Sequence, residues 1–137
     1  IKIAKKIMEN KYNFKEFRSF GSRTGTNYTG ITRNGVISFY RGFCERNNLK
    51  RFTKCVLLYD KQKRVIGVQF GGDELGERTY PINFDDDRKL GWVSSGNFFK
   101  LNSELNLADL KGRYEPEEYQ DESRKNVFVI DLNKKVQ

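Results

Sequence analysis

The stretch NGVISFYRGFCERNNLKRFTKCVLLYDKQKRVIGVQF, residues 34–70, decides the architecture. It opens on Asn34-Gly35, a tight-turn dipeptide because both residues tolerate positive φ, and β-branched and aromatic residues follow as a strand. RGFCERNNL (41–49) sets Phe43 and Cys44 toward Leu49 and ends in two Asn, which reads as a short helix. CVLLYDKQKRVIGVQF (55–70) places two apolar runs around the polar turn DKQK, the clearest hairpin in the chain. Together these form a β-α-β-β unit.

Moving outward, the same texture returns. Gly35-Val36-Ile37-Ser38 is answered 56 residues later by Gly91-Trp92-Val93-Ser94, Phe43 by Phe99, and Leu49 by Leu105. A strand and helix over 91–105 lead to a further strand near 112, an acidic polar loop, and a last strand at 127–132. Aligning the final strands needs about six extra residues in the second copy, an insertion that turns absorb. Either a duplicated unit or a chance likeness of texture accounts for these identities. A single β-α-β-β unit is too small to bury its sheet face, whereas two facing copies can share a core.

The expected fold is therefore α+β and β-rich, with two β-α-β-β units forming a barrel-like single domain. Unit one covers 31–70 and unit two 91–132. A turn-rich connector (71–90) contains a short strand around 79–84, and the tail NKKVQ is expected to fray. Residues 1–30 read as a basic N-terminal extension. In it Ile1, Ile3, Ala4, Ile7 and Met8 fall near helical spacing, ahead of a Gly-, Thr-, Ser- and Asn-rich stretch at 20–30.

Composition narrows the function classes. The 137 residues include eleven Phe and seven Tyr, enough aromatic area for a modest core. No apolar run approaches the roughly 18 residues that a membrane helix requires. The sequence opens on Ile1, so no targeting argument rests on its N-terminus. Cys44 and Cys55 read as buried reduced thiols in a cytoplasmic protein. With no His in the chain, Ser-His-Asp and Cys-His catalysis and a Cys/His zinc site are all disfavoured, and no cofactor is expected. The acids Asp85-Asp86-Asp87 and Asp73 leave a metal-dependent nuclease as a distant alternative. A polar turn is the simpler account of the acidic run.

Charge is the informative signal. Residues 1–64 carry 16 Lys/Arg against four acids, while residues 65–137 carry ten against 14. A half-chain this positive attracts polyanions, with counterion release as the driving term. In the N-terminal stretch Lys11, Lys15, Arg18 and Arg23 alternate with aromatics, and Arg33 and Arg41 continue the pattern. A second patch, Arg46, Lys50, Arg51 and Lys54, flanks Asn47 and Asn48, side chains able to meet base edges. A third, Lys61, Lys63 and Arg64, sits at the hairpin tip, where it either follows a groove as a basic ribbon or is an ordinary charged turn.

A strand opening Gly35-Val36-Ile37, a short helix and a hairpin together resemble the unit of AbrB-type swapped-hairpin transcription factors. In that family two such units interlock into a DNA-binding barrel, and in MraZ-type proteins they stand in tandem in one chain. The likeness covers 34–70 and, more weakly, 91–132. It departs from the family in lacking Pro after the first strand, where Ile37-Ser38-Phe39-Tyr40-Arg41 stands instead. It implies a regulatory DNA-binding protein and assigns no individual binding residue.

The expected partner is thus nucleic acid, DNA ahead of RNA, with the acidic C-terminal half turned away or toward a protein partner. No membrane is expected. A non-enzymatic interaction subunit or inhibitor docking an acidic protein is the main alternative.

Overall fold

The tight turn at Asn34-Gly35 organises the first hairpin of the computed structural model, which describes residues 27–136. Gly35 takes φ +82°, a left-handed conformation that favours glycine. Thr32 Oγ1 accepts hydrogen bonds from the N–H groups of Asn34 and Val36, closing the loop. The hairpin joins β1 (Thr29–Ile31) to β2 (Val36–Phe39), with Ile31 opposite Ile37. Helix α1 (Arg41–Asn47) follows and buries Gly42, Phe43 and Cys44. It stops because Asn48 adopts φ 47°, its N–H capping the carbonyls of Cys44 and Glu45. A single 3-10 turn (Leu49–Arg51) then drops Leu49 into the core. The hairpin expected at 55–70 forms as β3 (Lys54–Asp60) and β4 (Val65–Gly71) around turn 61–64.

The second half repeats this order after a short strand, β5 (Tyr80–Pro81). Strands β6 (Asn83–Asp85) and β7 (Leu90–Ser94) form a hairpin, and helix α2 (Gly96–Leu101) follows. Helix α3 (Leu107–Leu110) and strand β8 (Gly112–Tyr114) lead to a second hairpin, β9 (Glu117–Asp121) and β10 (Arg124–Asp131). The last strand is β11 (Lys135–Val136).

All ladders are antiparallel and sort into two sheets. Sheet A has the order β11-β8-β1-β2-β7-β6 and sheet B the order β5-β3-β4-β10-β9. In each sheet one ladder, β2–β7 in sheet A and β4–β10 in sheet B, joins matching strands of the two halves. Ile37 lies opposite Val93, and Gly67 lies opposite Val129. These partners are 56 and 62 residues apart, the offsets of the sequence repeat before and after its insertion. The ladders are thus arranged about a pseudo-two-fold relation between the halves.

The two sheets share one core. Ile37, Phe39 and Val93 from sheet A meet Cys55, Ile66, Phe70 and Ile130 from sheet B. Phe43 of α1 lies among them, its ring 5.0 Å from Phe128 and 6.0 Å from Phe70. The repeat matches Phe43/Phe99 and Leu49/Leu105 are all buried, so equivalent positions do equivalent packing.

Four expectations are corrected. Among the described residues the sheets stay open at β11, β6, β5 and β9, so the barrel does not close. The acidic loop is strand β9, paired to β10 because Tyr119 falls opposite Val127. The tail does not fray: Lys135 and Val136 pair with Tyr114 and Arg113. The strand expected near 112 forms as β8 but joins sheet A, and the residues ahead of it form helix α3, so the extra length of the second unit does not enlarge a turn. In addition, β1 begins at Thr29, within the stretch whose composition reads as an extension, and is buried between β8 and β2.

Candidate nucleic-acid interface

Lys11, Lys15, Arg18 and Arg23 lie outside the described residues. The nine other nominated cations separate into two regions, because β2 and β3 hold them apart. Arg33 and Arg41 flank opposite ends of β2, and Lys54 and Lys61 flank opposite ends of β3. The seven residues of β3 span about 20 Å. The tip 61–64 lies toward α2, since the Tyr59 ring meets Phe98 edge-on at 6.2 Å. Arg33 lies there too, beside Gly35, whose backbone is packed against Gly96.

The α1-side region holds Arg41, Arg46, Lys50, Arg51 and Lys54. It forms because the helix stops at Asn48 and the 3-10 turn carries the chain directly into β3, so a run of 14 residues holds five cations, four exposed and Lys54 half-buried. Arg41 pairs with Glu45 one helical turn on. Lys50 Nζ is 2.6 Å from Asp86, and Lys54 Nζ is 2.9 Å from Asp73. The Lys54 hydrogen bond holds the Asp73 carboxyl below the usual carboxylate range. Arg51 lies over the Phe52 ring, 4.3 Å from its centroid. Arg46 is exposed and makes no ion pair among the described residues.

Lys89 belongs to this region and is absent from the cations that the sequence nominates. It stands at φ 57° after the Asp85-Asp86-Asp87-Arg88 run and, with Lys50, Asn48 and Phe84, lines a shallow depression of about 200 Å³. Its run reads from sequence as a polar turn, and only the β6–β7 hairpin brings it beside α1.

The hairpin tip is no free ribbon. Lys63 and Arg64 accept through their carbonyls from Asn133 Nδ2 and the Leu132 N–H, both at 3.0 Å, which ties the turn to the end of β10. The side chains of Lys61 and Lys63 remain exposed.

The acids do not converge. Asp85 accepts from the N–H groups of Asp87 and Arg88 and from the Arg88 side chain, interactions that lower its pKa, while Asp86 turns to Lys50. Among the described residues no three Asp, Glu or Cys side chains are grouped to hold a metal ion. Cys44 and Cys55 are buried free thiols, and burial pushes them up to about 11 and about 12.

The strongest acidic run, Glu115, Glu117, Glu118, Asp121 and Glu122, lies on and beside β9 at the free edge of sheet B. Three strand spacings, about 14 Å, separate β9 from β3. No helix among the described residues is long and apolar enough to cross a membrane. Comparison with models of known protein families, with curated proteins and with solved structures gives no match.

Proposed function

We propose that this chain binds nucleic acid, DNA ahead of RNA, as a non-catalytic protein with a regulatory role. Contact is made to phosphates by the cations between Arg41 and Lys54, with Lys89 beside them. One observation carries the proposal: these five cations are gathered on one short surface segment, where Glu45, Asp86 and Asp73 pair with three of them and Arg46 and Arg51 make no ion pair among the described residues.

The ion pairs of Lys50 and Lys54 do not count against it. Exposed pairs are worth about 0–1 kcal/mol, so a phosphate can displace Asp86 or Asp73 at little cost. Asn48, exposed at the end of α1, offers a base-edge partner within the same segment. The order of strand, helix and hairpin, occurring twice, supports the AbrB- and MraZ-type likeness as a proposal, although the open sheets depart from a closed barrel. Residues 27–136 carry 19 Lys/Arg against 16 acids, so the larger part of the net +8 resides in residues 1–26. Those residues add Lys11, Lys15, Arg18 and Arg23 to the proposed interface.

A titration of the full chain against duplex DNA, single-stranded DNA and RNA at two salt concentrations tests this. Affinity that falls steeply with salt supports phosphate binding. No retention at ~50 mM salt rejects it and returns the chain to docking an acidic protein surface.

A further inference from the structure

Sheet A turns one face to the core, and its register fixes what stands on the other. Thr29, Ile37, Phe39, Val93 and Tyr114 are fully buried, so their neighbours along β1, β2, β7 and β8 point outward. One outward row reads Arg113, Gly30, Ser38, Trp92 and Asn83 across five strands. It holds a guanidinium and no carboxylate. One step along, Tyr28 and Tyr40 stand side by side, the Tyr40 N–H donating to the Tyr28 carbonyl at 3.0 Å. Gly30 makes room for them: a Cβ there would come 2.9 Å from both the Tyr40 hydroxyl and Ser38 Oγ, so the Tyr40 side chain lies across the bare strand. Arg113 stands 5.2 Å from the centroid of the Tyr28 ring. Tyr28, Tyr40 and Trp92 are each half-buried, with part of every side chain left open. Of the acids that flank this face, Asp85 is held by Arg88, and Glu115 stands one residue past the end of β8.

The chemistry of the face selects its ligand. Rings on a sheet with a guanidinium beside them suit a flat group joined to an anion, and each nucleotide of a single strand offers that pair. A duplex cannot use them. Its bases stack about 3.4 Å apart with both faces covered by their neighbours. Side chains on one face of a sheet are about 5 Å apart across strands and about 7 Å apart along them. Bases must be unstacked and unpaired to lie on such rings.

We infer that the outer face of sheet A binds unpaired nucleotides, with Tyr28, Tyr40 and Trp92 stacking on bases and Arg113 meeting a phosphate. This rests on the nucleic-acid reading above and adds to it a second surface, whose ligand is single-stranded.

Trp92 is the one tryptophan of the chain, so its fluorescence reports on this face without any substitution. Titration of the full chain with an unstructured oligothymidylate should quench that fluorescence, and a duplex of mixed sequence should leave it nearly unchanged. Tyr28→Ala and Tyr40→Ala should each weaken oligothymidylate binding by about tenfold or more. Tyr28→Phe and Tyr40→Phe keep the rings and should bind as the parent chain does, and duplex affinity should be the same for all four variants. Oligothymidylate that binds without quenching, or alanine variants that bind it undiminished, overturn the inference and leave the α1-side reading standing. Equal losses on single strand and duplex also overturn it. Failure of both polymers to bind overturns it together with the reading on which it rests.

Discussion

Ile37 and Val93 face one another across the β2–β7 ladder, both fully buried, and they are the same position of the two units. Each fills space that the other defines. Ile37→Val should cost about 0.5–1.5 kcal/mol for the missing methylene, and Ile37→Ala about 2–5 kcal/mol. The exchange Ile37→Val with Val93→Ile conserves volume across the pair and should recover most of the first loss. Urea unfolding of the three variants measures this. An exchange variant as weak as the sum of its parts would show that the two positions pack independently.

Gly35 and Gly96 approach closely where α2 begins, yet a methyl group should act oppositely at the two. At Gly35 a Cβ would come 2.9 Å from the Gly96 Cα, and the backbone there has φ +82°. At Gly96 the nearest atom to an added Cβ is the Asn34 carbonyl oxygen at 3.6 Å, an ordinary van der Waals distance. Gly35→Ala should therefore destabilise by more than about 1 kcal/mol, while Gly96→Ala should be neutral or stabilise by up to about 1 kcal/mol. Thermal unfolding of both variants separates the two effects.

Stability should fall as the solution turns alkaline. Unfolded thiols ionise near their usual value of 9.0, whereas burial raises Cys44 to about 11 and Cys55 to about 12. Between those limits the folded chain binds more protons than the unfolded one, so stability is intact below pH 9 and is lost as pH rises toward 12. Burial raises Tyr114 as well, adding to the loss above its usual value of 10.0. The urea midpoint measured from pH 8 to pH 11 should decline, and Cys55→Ala should flatten the slope. A midpoint that holds steady to pH 11 would contradict this account.

Charge reversal should distinguish the two cationic regions. Arg46→Glu and Arg51→Glu should weaken nucleic-acid binding and lower the salt slope by about 0.9 for each duplex phosphate that is no longer neutralised. Lys61→Glu with Lys63→Glu, about 20 Å away along β3, should do less. Asp86→Asn should strengthen binding by releasing Lys50 from its ion pair. Titrations at several salt concentrations read all three, and equal weakening from both regions would remove α1 from its special place.

The elements legible in the sequence are those whose side chains carry strong local signals. The Asn34-Gly35 turn, the helix after Tyr40, the 55–70 hairpin and the 127–132 strand follow from turn chemistry and apolar runs. The repeat is legible because Phe43/Phe99 and Leu49/Leu105 must fill equivalent places in a shared core. Strand β9 is not, since a free edge tolerates Glu117, Glu118 and Gln120, and pairing to β10 supplies what its own sequence lacks. The same limit hides Lys89, whose position depends on a hairpin folding back beside α1. The charge asymmetry is countable, but its division between the two ends of β3 is a property of the ladder.

Strand β8 has a mechanical consequence. It lies between β1 and β11, so the first described strand and the last are stitched to the same three-residue ribbon. Thr29 and Lys135 both pair with Tyr114, which anchors that ribbon through its buried hydroxyl on the Leu110 carbonyl. A pull applied at residues 27 and 136 would therefore load this seam first, and in shear, with its pairs sharing the force. The paired positions at Ile37–Val93 and Gly67–Val129 would feel the load only after the seam had parted.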